Sequence, residues 1–344
     1  MTRLFITEES NVILPIKRPL TNCLYVVGTL LFLSCSDDSS DSGTTPPASG
    51  GTDTSEANDI TDIELTSSSG DCSDYVGTYT SSVTDVNNSV NFTGSLVIAV
   101  SGSKCTFTSN SIPNHDFHDG SASFATDVTE VDADFEITTN PTDASSVTQL
   151  TLEYDNAVYL NGAKLDLLAA ACYGVGNEPL GQEKIGCGDG NVWRYDPMYT
   201  GNDFGTDTHN AHTQPDGTYH YHGSPMALFD NTDPTAASPV IGFAADGYPI
   251  FGPYIDDNGT IREVQSGYTL KTGARVSQTG EGAFPGGNYD GTYRDDWEWT
   301  DAGDLDECNG MTVNGVYGYY VTNAFPWVMA CYKGTLDASF KKGR

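Results

Sequence analysis

Glycine and proline interrupt this chain so often that long helices have little room to form. The 344 residues include 37 Gly and 16 Pro, and both residue types disfavour helix interiors and suit turns. Short alternating runs lie between these breaks, such as residues 95–100 and 131–137. Alternation with a period of two is typical of strands that bury one face. The sequence therefore predicts an all-β fold of antiparallel sheets with long ordered loops and at most short helices, one of them over residues 165–172.

The net charge of the chain is strongly negative. Its 47 Asp and Glu residues outnumber 15 Lys and Arg, which gives a formal charge of −32. Nucleic-acid binding needs a basic surface that neutralises phosphates, so this class of function is not expected. The same charge favours bound cations. The best calcium candidate, residues 256–259, lacks the spacing of a calcium loop and is more typical of a hairpin turn.

The first 34 residues predict an export signal. An apolar run over residues 23–35 follows Lys17 and Arg18, and it is shorter than the roughly 20 residues that cross a bilayer. The residues before Cys35 resemble a bacterial lipobox, and those after it resemble the acidic export tags of surface lipoproteins. This resemblance implies that Cys35 is lipidated and that the lipid is the only contact with the membrane. The expected location is the cell envelope, as a surface-exposed outer-membrane lipoprotein; an ordinary signal cleaved nearby is the alternative.

Composition divides the remainder into a stalk and a domain. Residues 35–68 consist mainly of Ser, Thr, Asp and Gly with hardly an aromatic side chain. Such a segment cannot bury a core, and it predicts a disordered stalk. Residues 69–344 then form a β domain, with a sub-boundary expected near residues 160–190.

Six cysteines lie within the predicted domain. An even number in an oxidising compartment predicts disulfides, and the absence of a CxxC pair argues against a thiolate zinc site. Pairing between sequence neighbours closes short loops. The predicted bridges are Cys72–Cys105, Cys172–Cys187 and Cys308–Cys331.

Two segments in the C-terminal half are similar to each other. Residues 210–222 align with residues 309–320 after one gap, and both predict β-hairpins. Pro215 cannot adopt a positive φ, so the first hairpin needs a three-residue loop in which Gly217 is left-handed. Asn314-Gly315 suits a two-residue type I′ turn in the second. The predicted facing pairs are His212 with His220, Asn210 with His222, Met311 with Gly318, and Asn309 with Tyr320.

All six histidines lie in two short segments of the sequence. The predicted register places His212, His220 and His222 on one face of the first hairpin, with Tyr219 and Tyr221 on the other. Three imidazoles with one open coordination position suit Zn²⁺ or Cu²⁺.

Other polar side chains of this hairpin are candidates for a supporting role. Asn210 and Asp216 are predicted to orient the imidazoles, although a turn Asp also caps its own loop. The open position is expected beside Tyr219 or Tyr221. The alternative interpretation is an amphipathic strand with packed tyrosines and solvated histidines, which binds no metal.

The segment Asp216-Gly-Thr-Tyr-His-Tyr-His-Gly223 resembles the YHYH domain family of bacterial secreted proteins. Further similar segments extend the resemblance from about residue 105 to 335. They are residues 111–115, 210–212, 241–252, 305–310 and 325–327. The resemblance implies that four more residues join the histidine site: His115 as a ligand, and Asp246, Asp306 and Asn309 in support. The chain departs from the family at Gly318, where relatives often carry another His.

These observations lead to two hypotheses of different classes. The first is a tethered extracytoplasmic protein with a Cu or Zn site, which acts either as a metal-binding protein or as a metal-dependent enzyme. The second is a metal-free module that uses its aromatic and histidine surface to bind an extracellular glycan or small molecule. The nucleophile-elbow, P-loop and HExxH motifs are absent from the sequence, so they support no other enzyme class.

Overall fold

The computed structural model describes residues 57–182, 184–232 and 234–343. Over these residues the chain forms short strands, four single-turn 3₁₀ helices and long loops. The strands are β1 (Asn58–Asp59), β2 (Gly77–Asp85), β3 (Val90–Ser101), β4 (Lys104–Ser109), β5 (Ala133–Thr138), β6 (Thr148–Gln149), β7 (Ala157–Tyr159), β8 (Lys164–Leu165), β9 (Ala211–Thr213), β10 (Tyr219–Tyr221), β11 (Val240–Ala244), β12 (Pro249–Phe251), β13 (Tyr254–Asp257), β14 (Thr260–Glu263), β15 (Tyr268–Leu270), β16 (Trp297–Trp299), β17 (Gly310–Val313), β18 (Val316–Tyr320) and β19 (Cys331–Tyr332). The 3₁₀ helices are Cys72–Tyr75, Met226–Leu228, Arg294–Asp296 and Ala338–Phe340. The predicted all-β class is confirmed.

The N-terminal sheet is a meander of five strands in the order β1-β2-β3-β4-β5. β1 pairs parallel to β2, and the other pairs are antiparallel. Alternate side chains of β3 and β4 point inward, among them Leu96, Ile98 and Phe107, which are at most 2% exposed. These residues belong to one hydrophobic cluster that also contains side chains of the second sheet.

The second sheet has eight strands in the order β17-β18-β12-β11-β7-β8-β10-β9. Its two halves repeat one pattern about the central β7–β11 pair. In each half an inner hairpin, β7–β8 or β11–β12, pairs in parallel with the second strand of an outer hairpin, β9–β10 or β17–β18. The two hairpins that the sequence predicts to be similar therefore form the two opposite edges of one sheet.

The short helix predicted over residues 165–172 does not form. Leu165 ends β8, and the backbone continues as a loop. Asp166 N donates to Tyr221 O, and Leu167 N donates to the Asn156 side chain, so these amides are used by neighbouring segments. The prediction failed because a short apolar run has no reliable period of its own.

The folded part begins earlier than the predicted boundary at residue 69. β1 pairs with β2, and Leu65 N and Asp62 N donate to backbone carbonyls of the domain. Residues 58–68 are therefore held along the domain by main-chain hydrogen bonds, which need no aromatic side chain. The signal peptide, Cys35 and the rest of the predicted stalk lie outside the described residues. Within the described residues, no helix is both long and apolar enough to traverse a bilayer.

Three disulfides join the predicted partners. They connect Cys72 to Cys105, Cys172 to Cys187, and Cys308 to Cys331. All six cysteines are buried, at 4% exposure or less. The nearest-neighbour pairing is therefore confirmed, and the first and third bridges lie within the main hydrophobic cluster.

Candidate metal centre

The hairpin of β9 and β10 has the predicted loop and register. Gln214 O accepts from Gly217 N at 2.8 Å, and Gly217 has φ +85°. This geometry needs a glycine because other side chains rarely adopt that φ. His220 faces His212, and His222 N donates to Asn210 O at 2.8 Å. The turn thus places three imidazoles on one face of the hairpin.

The three imidazoles of the hairpin converge on one point. His222 Nε2 lies 2.9 Å from His212 Nε2 and 3.1 Å from His220 Nε2. Three nitrogens bound to one tetrahedral metal at about 2.0–2.1 Å are separated by about 3.3 Å. These two separations differ from this value by a few tenths of an ångström, and the ligand atoms of all three residues lie within 4.8 Å of one another. We refer to His212, His220 and His222 as the histidine triad; it is the one cluster of potential metal ligands found among the described residues.

The environment disfavours protonation of the triad and fixes His212 in a ligating form. His212 Nδ1 lies 2.7 Å from Phe204 O, and because a carbonyl only accepts, the proton is assigned to Nδ1 and Nε2 carries the lone pair. Burial lowers the pKa of all three imidazoles, and the positive charge that each acquires on protonation lowers the pKa of His220 and His222 further. A metal ligand must be unprotonated, so the triad stays competent below the usual histidine range.

The burial of the triad contradicts the interpretation of a solvated strand face. His220 and His222 are each 3% exposed, and Tyr219 and Tyr221 on the opposite face are fully buried. Both faces of β10 are therefore covered by protein. The prediction that the open position lies beside Tyr219 or Tyr221 is wrong, because the two tyrosines lie behind the strand.

A cavity of about 330 Å³ opens onto the triad. Its walls are mostly apolar. The apolar lining includes Leu152, Leu168, Ala169, Ile185 and Phe204, and the polar lining includes Asp166, Lys184, Gln214 and Lys342. A metal held by the triad would thus lie in the wall of a half-open cavity that admits a small molecule.

Asp166 is the acidic residue of this cavity, and it was not predicted from the sequence. Its Oδ2 accepts from Gln214 Nε2 at 2.8 Å and from Lys342 Nζ, while Oδ1 is buried without a hydrogen-bond partner. Lys164 Nζ in turn donates to Gln214 Oε1 at 2.8 Å. Parallel pairing of β8 with β10 places Asp166 next to His222, and a pairing between segments more than fifty residues apart leaves no local signal in the sequence.

His115 is not a ligand of the triad, which corrects the prediction. Its Nε2 lies 2.6 Å from Tyr221 Oη and its Nδ1 lies 2.7 Å from Asp116 O. The ring also lies 3.9 Å from that of His209. Because Tyr221 points away from the triad, these contacts hold His115 on the opposite face of the hairpin.

We expect His115 to make the fold acid-sensitive. Burial, together with the nearby His209, lowers its pKa from 6.5 to about 3. Between these values the unfolded chain binds the proton more readily, so stability falls as the pH is lowered below 6.5, by up to about 1.4 kcal/mol per pH unit. Urea unfolding at pH 7 and pH 5, with a chelator present, should show a smaller acid loss for His115→Gln than for wild type. Equal losses would show that His115 is not the cause.

The side chains of Asn210 and Asp216 form hydrogen bonds with the hairpin and its neighbours, and none with an imidazole among the described residues. Asn210 has φ +63° and donates from Nδ2 to Ser224 O at 2.9 Å. Asp216 Oδ1 accepts from Thr218 N and Thr218 Oγ1 at 3.0 and 2.7 Å. The predicted role of orienting the triad is therefore wrong for both, and Asp216 caps its own turn.

Asp246, Asp306 and Asn309 lie at the other edge of the sheet, away from the triad. Asp246 accepts from Tyr319 Oη at 2.6 Å, and Asp306 accepts from Tyr317 Oη at 3.1 Å. Asn309 Nδ2 donates to backbone carbonyls at 2.8 and 3.0 Å. The resemblance placed these residues in one site with the triad; the structure places them around the second hairpin instead.

These contacts have equivalents around the first hairpin. The two halves of the sheet therefore repeat the same structure. Tyr219 Oη donates to Asp207 at 2.9 Å, as Tyr317 does to Asp306, and Asn161 Nδ2 donates to Tyr221 Oη at 3.0 Å where Asp246 accepts from Tyr319. Asn161-Gly162 and Asp246-Gly247 occupy the same turn of the inner hairpins.

The second copy has no triad. The residues equivalent to His212, His220 and His222 are Met311, Gly318 and Tyr320. Phe251 takes the place of Asp166 and stacks on Tyr320 at 5.0 Å. A Cβ at Gly318 would lie 2.5 Å from Phe251 Cε2, so an aromatic side chain fills the space that the imidazoles occupy in the first copy.

The calcium candidate is a hairpin turn between β13 and β14. Asp257 pairs with Arg262 at 2.8 Å, and Asp256 accepts from Gly259 N. Both carboxylates are thus used within the turn.

Fold and site together define a class: a disulfide-bonded β protein whose duplicated sheet carries a buried three-histidine cluster in one half. The family model described as "YHYH protein" matches residues 134–334, which is more than half of the 344 residues. The chain belongs to this family, and the resemblance noted from the sequence is confirmed. The match spans the eight-stranded sheet, including the triad, and leaves out His115. No curated protein and no solved structure matches the chain.

Proposed function

We propose that the histidine triad binds one divalent transition-metal ion, Zn²⁺ or Cu²⁺. The convergence of three imidazoles supports this proposal, because one ion could bind a lone pair of each; His220 and His222 are buried and His212 is half-buried. Imidazole nitrogens are ligands that both metals favour. The protein charge of −32 also raises the local concentration of cations.

The surroundings of the triad favour a reactive site over a purely structural one. Structural zinc sites have four protein ligands, whereas catalytic sites keep three and leave a position open. A metal here would polarise a bound water or substrate, and the cavity of about 330 Å³ would admit that substrate. Asp166, fixed by Gln214 and Lys342, would accept a hydrogen bond from it. We therefore propose a metal-dependent enzyme of the water-activating class.

Glycan binding at the hairpin is less well supported. Sugar rings stack on exposed aromatic faces, and Tyr219 and Tyr221 have no exposed surface. No other observation at this face favours it.

Metal analysis of untagged protein exported to a periplasm tests the proposal. We expect about one Zn or Cu per chain by elemental analysis, and saturable binding of one equivalent when the chelated protein is titrated by calorimetry with each metal separately. Tighter binding of one metal assigns its identity. Protein that contains neither metal, and that binds neither at one equivalent, would contradict the proposal.

We also propose that the protein is tethered to the cell envelope by a lipid on Cys35. The apolar run, the small residue Ser34 and the acidic residues that follow Cys35 support this location. Metabolic labelling with palmitate should mark the wild type and fail to mark Cys35→Ala. Equal labelling of the two proteins would exclude Cys35 as the anchor.

A further inference from the structure

The apolar wall beside the triad is separate from the main hydrophobic cluster of the domain. Phe204 and Ala169 are at most 8% exposed and belong to a small cluster of their own, against which Leu180 packs. The ring centre of Phe204 lies 6.3 Å from that of His222 and 6.5 Å from that of His212. Phe204 and Ala169 also line the triad cavity. An apolar surface therefore lies directly beside the place where the metal is proposed to bind.

Most polar side chains of the triad cavity already have partners within the protein. Thr213, Gln214 and Lys184 each form a side-chain hydrogen bond with another residue. Lys342 forms an ion pair with Asp166. A ligand with a polar body would therefore lose hydrogen bonds to water and gain few in return. The groups left to receive a polar part of a ligand are Asp166 and the metal.

The size of the cavity limits the ligand further. Its volume of about 330 Å³ is near the lower end of the range of about 300 to 1,000 Å³ for small-molecule sites. The lining also includes Leu152, Leu168 and the exposed side chain of Ile185. This half-open, mostly apolar space suits one ring or a short branched chain, and it is too small for an oligosaccharide or a folded peptide.

We propose that the triad cavity takes a small ligand with an apolar body and one polar head group; this inference rests on the proposed metal site. The head group would meet the metal, and the body would lie against Phe204 and Leu168. For a water-activating enzyme, this class corresponds to an ester or amide of a small apolar acid. In its hydrolysis the hydroxyl of water adds to the acyl carbon, the bond from that carbon to the ester oxygen or amide nitrogen breaks, and the leaving atom takes the remaining proton.

Hydroxamates test this ligand class, because the same metal-binding head group can carry different bodies. The protein is loaded with one equivalent of Zn²⁺ or Cu²⁺, whichever binds more tightly, and titrated by calorimetry with acetohydroxamate, benzohydroxamate and isonicotinohydroxamate. The last has a ring of the same shape as benzohydroxamate but with a polar nitrogen. Benzohydroxamate should bind at least about 10-fold more tightly than acetohydroxamate, because its ring buries apolar surface. Isonicotinohydroxamate should bind about 3-fold or more weakly than benzohydroxamate, because its ring nitrogen loses water.

The metal content of the loaded protein, measured by elemental analysis, separates this inference from the proposal on which it rests. Protein that holds no metal would overturn both. Metal-loaded protein that binds benzohydroxamate no more tightly than acetohydroxamate, or that binds neither, would overturn the ligand class alone.

Variants then locate the body of the ligand. Leu168→Asn places a polar side chain of similar size in the wall, so the preference for benzohydroxamate over acetohydroxamate should fall below about 3-fold. Ile185→Asn should lower the preference in the same direction, and because Ile185 is 57% exposed, this variant is expected to fold. Ile63→Asn is the matched control, since Ile63 is 50% exposed and does not line the cavity.

Circular dichroism establishes which variants are folded. Folded Leu168→Asn with the preference of wild type would overturn the proposed position of the ligand body. If Leu168→Asn does not fold, the same result with Ile185→Asn would do so.

Discussion

Replacement of both His220 and His222 by alanine should abolish stoichiometric metal binding. Removing even an outer partner of a metal ligand costs about 10- to 100-fold in affinity, so removing two of three ligands should cost more than about 100-fold. The fold should persist, because the turn and the two tyrosines of the hairpin are unchanged. The three disulfides also involve no residue of the triad. Elemental analysis and calorimetry measure the loss, and circular dichroism checks the fold.

His118→Ala is the control for that variant. His118 Nδ1 pairs with Asp85 at 2.8 Å on the tyrosine side of the hairpin, so its removal should leave the metal content of folded protein unchanged. A double variant that keeps the metal content and affinity of wild type would refute the triad as the binding site. If both the double variant and His118→Ala lost the metal, the loss would be explained by damage to the hairpin fold and not by removal of ligands.

Loss of the three disulfides should remove most of the stability of the domain. The bridges close loops with sequence separations of 33, 15 and 23 residues. In the chain-entropy model each loop of this size contributes about 3 to 4 kcal/mol, about 10 kcal/mol together. A typical domain has about 5 to 15 kcal/mol in total. Urea unfolding with and without reductant should therefore show a midpoint that falls strongly or a chain that is unfolded in water.

Peptide mapping without reduction provides the direct check of the pairing. Digestion of exported protein should yield three cystine peptides that join Cys72 to Cys105, Cys172 to Cys187, and Cys308 to Cys331. A variant in which all six are alanine should respond to reductant no further. Free thiols at these positions, or a reduced protein as stable as the oxidised one, would contradict the expectation.

Local rules in the sequence were sufficient to predict the all-β fold class, the cystine pairs and both outer hairpins. Pro215 and Asn314-Gly315 determine loop length through allowed φ values, and loop length determines which side chains face each other. The residues of the triad followed from that register alone. Such constraints act over a few residues, so one sequence reveals them.

Contacts between distant segments were beyond that reasoning. Asp166 reaches the triad cavity because β8 pairs with β10, and His115 lies on the opposite face because it meets Tyr221. The assignment of Asp246, Asp306 and Asn309 to the triad followed the family resemblance, which does not distinguish two equivalent edges of one sheet. Recognising the duplication from the Asn161-Gly162 and Asp246-Gly247 turns would have separated them.

The second half of the sheet shows how this backbone pattern is packed where the histidine triad is absent. Burying three polar imidazole rings costs free energy, because the rings lose their hydration. Phe251 packs against Tyr320 at the opposite edge, where the same backbone pattern is an ordinary hydrophobic layer. One half of the sheet is thus closed by an ordinary apolar layer, while the equivalent half buries the polar histidine triad.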